Sequence, residues 1–291
     1  MTSLHTTSRS EFLRARGLRH HIRRWGPADA EPLFLGHGYL DVSATFEPLA
    51  AELVRLGAGR WQVLAPDWRG FGYSEWPQDG YWFQDYVADL DAIVDHYAPG
   101  RALTLIGHSM GAQIVSLYAG LRPARVGTLV LLDGLAWPGM TSAMAPHRFR
   151  AWLDEVRDTP RLRRYPSFED LAGRVRRQHP QLDEGTALFV ARCWGRDDGA
   201  GIVLCADPRH HRSGPSVYHL GDSEAVWREI TADTLHLLAG RSNFKATPAA
   251  AASRDACFRR LTNAVIEDSG HMLHFDAPLD TARRIADFLT R

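Results

Sequence analysis

The chain has 291 residues, 45% of them hydrophobic, enough to bury one large core or one core with an accessory layer, and no compositional break divides it into independent domains. Lys+Arg and Asp+Glu both number 34, so no global field favours nucleic acid or another polyanion. Cys193, Cys205 and Cys257 are odd in number and scattered, which argues against a disulfide framework, suits a reducing cytoplasmic setting and leaves buried free thiols as the simplest reading. Residues 1–10 lack the apolar stretch of an export signal, and no run approaches the roughly 18 apolar residues that span a bilayer, so neither export nor membrane insertion is expected.

Glu11–Ala15 and Leu18–Trp25, separated by Arg16-Gly17, read as an antiparallel hairpin. Pro32–Leu35 is a short buried strand that runs into Gly36-His37-Gly38-Tyr39, a glycine-rich turn in which the backbone N–H of Tyr39 is placed to donate to an oxyanion while His37 is structural. A helix is expected near Thr45–Leu56. The strand Trp61–Leu64 leads into Asp67-Trp68-Arg69-Gly70-Phe71-Gly72-Tyr73-Ser74, where Asp67 and Arg69 fix the loop and Trp68 and Tyr73 either pack or line a pocket. Another helix is expected near Trp82–Tyr97.

The apolar run Ala102–Ile106 ends in Gly107-His108-Ser109-Met110-Gly111, followed by a helical stretch, Ala112–Leu121. Gly-x-Ser-x-Gly between a strand and a helix reads as a nucleophile elbow: the serine sits on a strained turn, and glycines keep Cβ atoms out of the bend. The helix that starts there directs the N–H of Met110 toward the carbonyl under attack. The next strand, Val126–Leu132, ends in Asp133-Gly134. Residues 137–230 are too long for a simple loop and carry their own periodic stretches, Arg148–Val156, Phe168–Arg177 and Glu184–Trp194, so a helical lid is expected there. Trp137 in the lid, His108 beside the serine and Trp68 are the expected substrate contacts.

The strand Thr234–Ala239 leads into Gly240-Arg241-Ser242-Asn243, and the last strand, Ala264–Ile266, precedes Gly270-His271. A serine early in the chain with a histidine near its end suits a general base at His271. The closing helix, Leu279–Leu289, carries an apolar stripe of Leu279, Ala282, Ile285, Ala286 and Leu289.

Together these four motif segments resemble the α/β-hydrolase superfamily, and within it the lidded serine-hydrolase-like proteins, over nearly the whole chain apart from its middle. The resemblance implies a mainly parallel central sheet flanked by helices, with a core of residues 1–136 and 231–291 and a helical lid, 137–230, inserted after the sixth strand. It also implies hydrolysis by Ser109 as nucleophile, His271 as base and an acid, with the amides of Tyr39 and Met110 as oxyanion hole. Asparagine stands where the commonest pattern has its acid. Asp133, at a position some members use instead, is therefore assigned as the acid, with Asn243, Asp222 and Asp268 as the alternatives.

The expected reaction is cleavage of an ester or lactone of a partly apolar small molecule, with activity rising with pH through the ordinary histidine value of about 6.5, displaced upward by a carboxylate partner. The same scaffold supports carbon–carbon bond and thioester hydrolysis, and a non-catalytic receptor of the fold is the alternative outside enzymes. Epoxide hydrolase and haloalkane dehalogenase chemistry would need an aspartate at position 109. No nucleotide, flavin or metal is expected, because no phosphate loop occurs and neither His210-His211 nor His271/His274 has a carboxylate or cysteine at ligand spacing. The expected partner is a small-molecule substrate, and the expected assembly is a monomer or homodimer.

Overall fold

The computed structural model describes residues 8–158 and 160–291, so most of the N-terminal stretch read above lies outside the described residues. The elements run β1 (Arg9–Ala15), β2 (Leu18–Trp25), β3 (Glu31–Gly36), α1 (Glu47–Gly57), β4 (Trp61–Pro66), α2 (Phe83–Tyr97), β5 (Leu103–His108), α3 (Met110–Leu121) and β6 (Val126–Leu132). An insertion follows, with α4 (Ala145–Glu155), α5 (Phe168–Gln178), α6 (Glu184–Trp194), β7 (Gly195–Asp197), β8 (Ile202–Leu204) and α7 (Leu220–Trp227). The chain then closes with β9 (Asp233–Ala239), α8 (Pro248–Asp255), β10 (Leu261–Ile266), α9 (Leu273–Asp276) and α10 (Pro278–Leu289).

Eight strands form one sheet in the order β1-β2-β4-β3-β5-β6-β9-β10. β2 pairs antiparallel with β1 and β4, and every other pairing is parallel. The opening hairpin turns on Arg16 and Gly17, both at positive φ, the geometry that matches the twist of paired strands. The central strands are mostly apolar because helices cover both faces. Alternation then sorts their side chains: Phe34, Leu64, Leu105, Leu129 and Leu131 pack with α2 and α3, whereas Leu33, Leu35, Val63, Ile106, Val130 and Leu132 pack with α1 and α10. The strand order reverses direction around β3, with β4 on one side and β5 on the other, so a crevice opens at the carboxyl ends of β3 and β5.

The insertion has a small core of its own, in which Leu171 and Val175 of α5 meet Ala187, Val190 and Ala191 of α6. Met272 and Phe275, from the segment after β10, belong to the same cluster and bind the insertion to the sheet domain. The β7–β8 hairpin within this otherwise helical region was not legible in the sequence, since strands of three residues are too short for a period to register. The α10 stripe is also rotated from the expected one. Leu279 is 52% exposed, and Thr281, fully buried with its hydroxyl donating to Leu273 O, takes the inward place in the first turn.

Candidate active site

Ser109 lies between β5 and α3 at φ 52° and ψ −113°, a region that L-residues seldom occupy, and its N–H donates to Leu132 O at 3.1 Å. Two glycines permit that bend. A Cβ on Gly107 would stand 2.4 Å from Gly111 O, and one on Gly111 would stand 2.1 Å from Gly36 O, so neither position admits a side chain. Met110 is the first residue of α3, where N–H groups have no intrahelical acceptor, and it borders the cavity together with Tyr39 and Ser109.

Ser109 Oγ is 3.0 Å from His271 Nε2, and His271 Nδ1–H donates to Asp133 Oδ2 at 2.6 Å. Asp133, at φ 43°, is held from two more directions: its Oδ1 accepts from Ala239 N at 3.0 Å and its Oδ2 from Ser242 Oγ at 2.5 Å. Adjacent parallel strands lie about 4.8 Å apart, which is why a carboxylate after β6 and a loop after β9 converge on one imidazole. Asn243 is exposed, as are Asp222 and Asp268, and Asp268 pairs with Arg241 at 2.5 Å. Ser242, which sequence reasoning passed over in favour of its neighbour, is buried and reaches the site through Asp133. Phe244 adds a ring 4.4 Å from that of His271.

The Gly36–Tyr39 loop lies against the elbow, where a Cβ on Gly38 would come within 3.2 Å of Ser109 Cβ. His37 pins it: Nδ1–H donates to Gly38 O at 2.8 Å and Nε2 accepts from Trp68 N at 2.9 Å. Burial holds the His37 imidazole below its ordinary value, in keeping with an accepting Nε2. The expectation that Trp68 contacts substrate is overturned. Trp68 is fully buried, its Nε1–H donates to His37 O at 2.9 Å, and its ring lies where a Gly36 Cβ would be, so it is a strut beneath the loop. Asp67 and Arg69 fix the loop as expected, Asp67 accepting from Ser43 N and Tyr73 N and Arg69 pairing with Asp89 at 2.6 Å.

His108 borders the cavity but is only 1% exposed, and its Nε2–H donates to the backbone O of His271 at 2.9 Å. Burial keeps it well below the usual histidine range. Trp137, 60% exposed, stands on the cavity wall.

The cavity above Ser109 has a volume of about 1490 Å³ and is walled on one side by the insertion. Its apolar lining includes Trp82, Phe83, Trp137, Met140 and Trp152, with Gln113 and Tyr218 as nearby polar groups. At its margin His210 stacks on Phe71 with ring centroids 3.9 Å apart, and burial drives its pKa down to about 3. Trp194 of α6 donates Nε1–H to Asp41 Oδ1 at 2.7 Å, a further tie between insertion and sheet domain. No described helix is long and apolar enough to cross a membrane. Cys205 and Cys257 are buried free thiols, whereas Cys193 is partly exposed.

A family model described as the alpha/beta hydrolase fold matches residues 31–278. A serine hydrolase-like protein of Danio rerio is 27% identical over 276 residues, which is 91% of this chain and 83% of the relative. A 2-(acetamidomethylene)succinate hydrolase of Mesorhizobium japonicum is 38% identical over 97 residues, 33% of either chain. Among solved structures, a thioesterase domain from the curacin biosynthetic pathway matches with a TM-score of 0.85 at 22% identity, over 98% of this chain and 100% of that one.

Proposed function

The chain belongs to the alpha/beta hydrolase fold family, and on that footing we propose that it is a serine hydrolase that cleaves a carboxylic ester or lactone of a partly apolar small molecule through Ser109, His271 and Asp133. The observation that carries this reading is the unbroken hydrogen-bonded line from Asp133 Oδ2 through the His271 imidazole to Ser109 Oγ, which ends inside a large apolar cavity.

In this mechanism Asp133 fixes the tautomer in which His271 carries its proton on Nδ1, leaving Nε2 to take the Ser109 proton. The serine oxygen attacks the acyl carbonyl, and the oxyanion is held by the amides of Met110 and Tyr39, each donor contributing ~2.7–4 kcal/mol in comparable sites. The imidazolium then protonates the leaving oxygen. Water, deprotonated by His271, attacks the acyl-enzyme, and the imidazolium returns that proton to Ser109 Oγ as the acid is released. Asp133 is held by Ala239 N and Ser242 Oγ, so its charge stays aimed at the imidazolium when that forms. The insertion, residues 137–230, acts as the cap, with Trp137 among the surfaces that meet substrate.

The test is adduct mapping with a fluorophosphonate probe. Labelling at Ser109, absent in a folded Ser109→Ala variant, is the expected result. A well-folded wild type that takes no label would favour a binding-only protein instead. A panel of p-nitrophenyl esters of rising chain length would then size the apolar cavity.

A further inference from the structure

Behind the Ser109–His271 pair, Asp41, His108 and His274 bring ligand atoms within 4.8 Å of one another, and all three residues are buried. They come from the loop after β3, the end of β5 and α9. Buried polar side chains are ordinarily satisfied, yet Asp41 Oδ2, His108 Nδ1 and His274 Nδ1 have no hydrogen-bond partner. Thr45 Oγ1 lies 3.3 Å from His274 Nε2, and Asp41 Oδ2 lies 3.1 Å from the same nitrogen. That spacing is close to the roughly 3.3 Å between two donors on one tetrahedral zinc ion with bonds of about 2.0 Å.

The second polar atoms of Asp41 and His108 are held. Asp41 Oδ1 accepts from Thr45 Oγ1 at 2.8 Å and from Trp194 Nε1 at 2.7 Å. His108 Nε2–H donates to the carbonyl of His271, so His108 Nδ1 carries a lone pair. A ligand whose second polar atom is tied to a backbone carbonyl or a hydrogen-bond donor has the outer-shell arrangement of protein metal sites.

We propose that Asp41, His108 and His274 form a site for a divalent transition-metal cation of the zinc class, with Asp41 Oδ2, His108 Nδ1 and His274 Nε2 as donors. Two imidazoles and one carboxylate suit Zn2+ and not Mg2+ or Ca2+, which take oxygen donors. The ring of His108 is centred 4.8 Å from that of His271. If the hydrolytic reading holds, on which only this consequence rests, a divalent charge there opposes the His271 imidazolium, and filling the site lowers kcat.

The test is titration of chelator-treated, untagged full-length protein with Zn2+ by calorimetry and with Co2+ by visible absorption. One equivalent bound at low-micromolar metal or tighter, with a tetrahedral Co2+ spectrum, is expected. His274→Asn should lose that equivalent. Trp194→Phe, which removes one of the two hydrogen bonds to Asp41 Oδ1, should weaken binding at least about ten-fold, and it serves if His274→Asn does not fold. Ser109→Ala and His271→Gln should each keep it. Absence of the equivalent in wild type, its survival in His274→Asn or at full affinity in Trp194→Phe, or its loss in His271→Gln would overturn the assignment. These readouts do not use turnover, so a failed metal site and a failed hydrolase reading are told apart.

Discussion

Ser242 donates its hydroxyl to the same Asp133 oxygen that faces His271, at 2.5 Å against 2.6 Å. The loop after β9, where the commonest pattern of the family carries its acid, thus supports the carboxylate proposed here as the acid instead of supplying one. Ser242→Ala should lower kcat about ten-fold with KM unchanged, the effect of one lost hydrogen bond to a charged group of roughly 1.5 kcal/mol. Asp133→Asn should cost on the order of 10⁴-fold in kcat, as the loss of a triad carboxylate does elsewhere. Asn243→Ala should leave activity within about two-fold, the order of a change at a surface site. Steady-state kinetics on the three variants check this, and a larger loss at Asn243 than at Asp133 would reverse the assignment.

The elbow makes a stability prediction as well as a chemical one. A Cβ on Gly111 would meet the Gly36 carbonyl at 2.1 Å, which forces α3 away from β3. Gly111→Ala should therefore destabilise by about 3 kcal/mol or more and lower Tm by roughly 6–12 °C. Gly221→Ala in α7, where a Cβ meets nothing within 4 Å, should leave Tm unchanged or raise it, since alanine is the better helix former by up to ~1 kcal/mol. Thermal melts of the two variants make the comparison.

Buried histidines set a pH dependence of stability. Burial depresses His236 to about 4 and His210 to about 3. Above the unfolded value of about 6.5 both states are neutral at these positions and no dependence arises. As pH falls below it, the unfolded chain binds protons that the folded chain refuses, so stability drops by up to ~1.4 kcal/mol per pH unit for each histidine. The loss is complete for His236 only below about 4. Urea midpoints should fall steadily from pH 6.5 toward about pH 4, and His236→Gln should flatten the slope over that window. A midpoint that does not change there would remove this account.

Burial pushes the Cys193 thiol up to about 12 and the Cys205 thiol to about 11, and it raises Cys257 as well. Thiolate is the reactive form, so alkylating reagents near neutral pH should label these thiols slowly in the folded protein and quickly in denaturant. Ester hydrolysis should survive treatment of the folded protein. Intact-mass measurement with a parallel activity assay checks both outcomes.

Local patterns carried much of this structure. The hairpin at Arg16-Gly17, the elbow around Ser109 and the helices on either side follow from backbone demands that neighbouring residues meet on their own. The β7–β8 hairpin was invisible because its strands are too short to repeat. Trp68 was misread because an aromatic residue in a loop after a strand has the same sequence signature whether it faces a cavity or a backbone. Only the packing distance to Gly36 separates the two.

Sequence by itself determined most strands of the main sheet and the longer helices, the strained serine turn and the placing of Asp133 and His271 after strands, because strand period, helix period and glycine sterics act over a few residues. Tertiary structure alone decided that Ser242 and not Asn243 turns toward Asp133, and that Asp41 and His108 stand beside His274. The physical reason is that those relations depend on parallel strands about 4.8 Å apart delivering distant loops to one end of the sheet, and ligand spacing along the chain carries no trace of such a meeting.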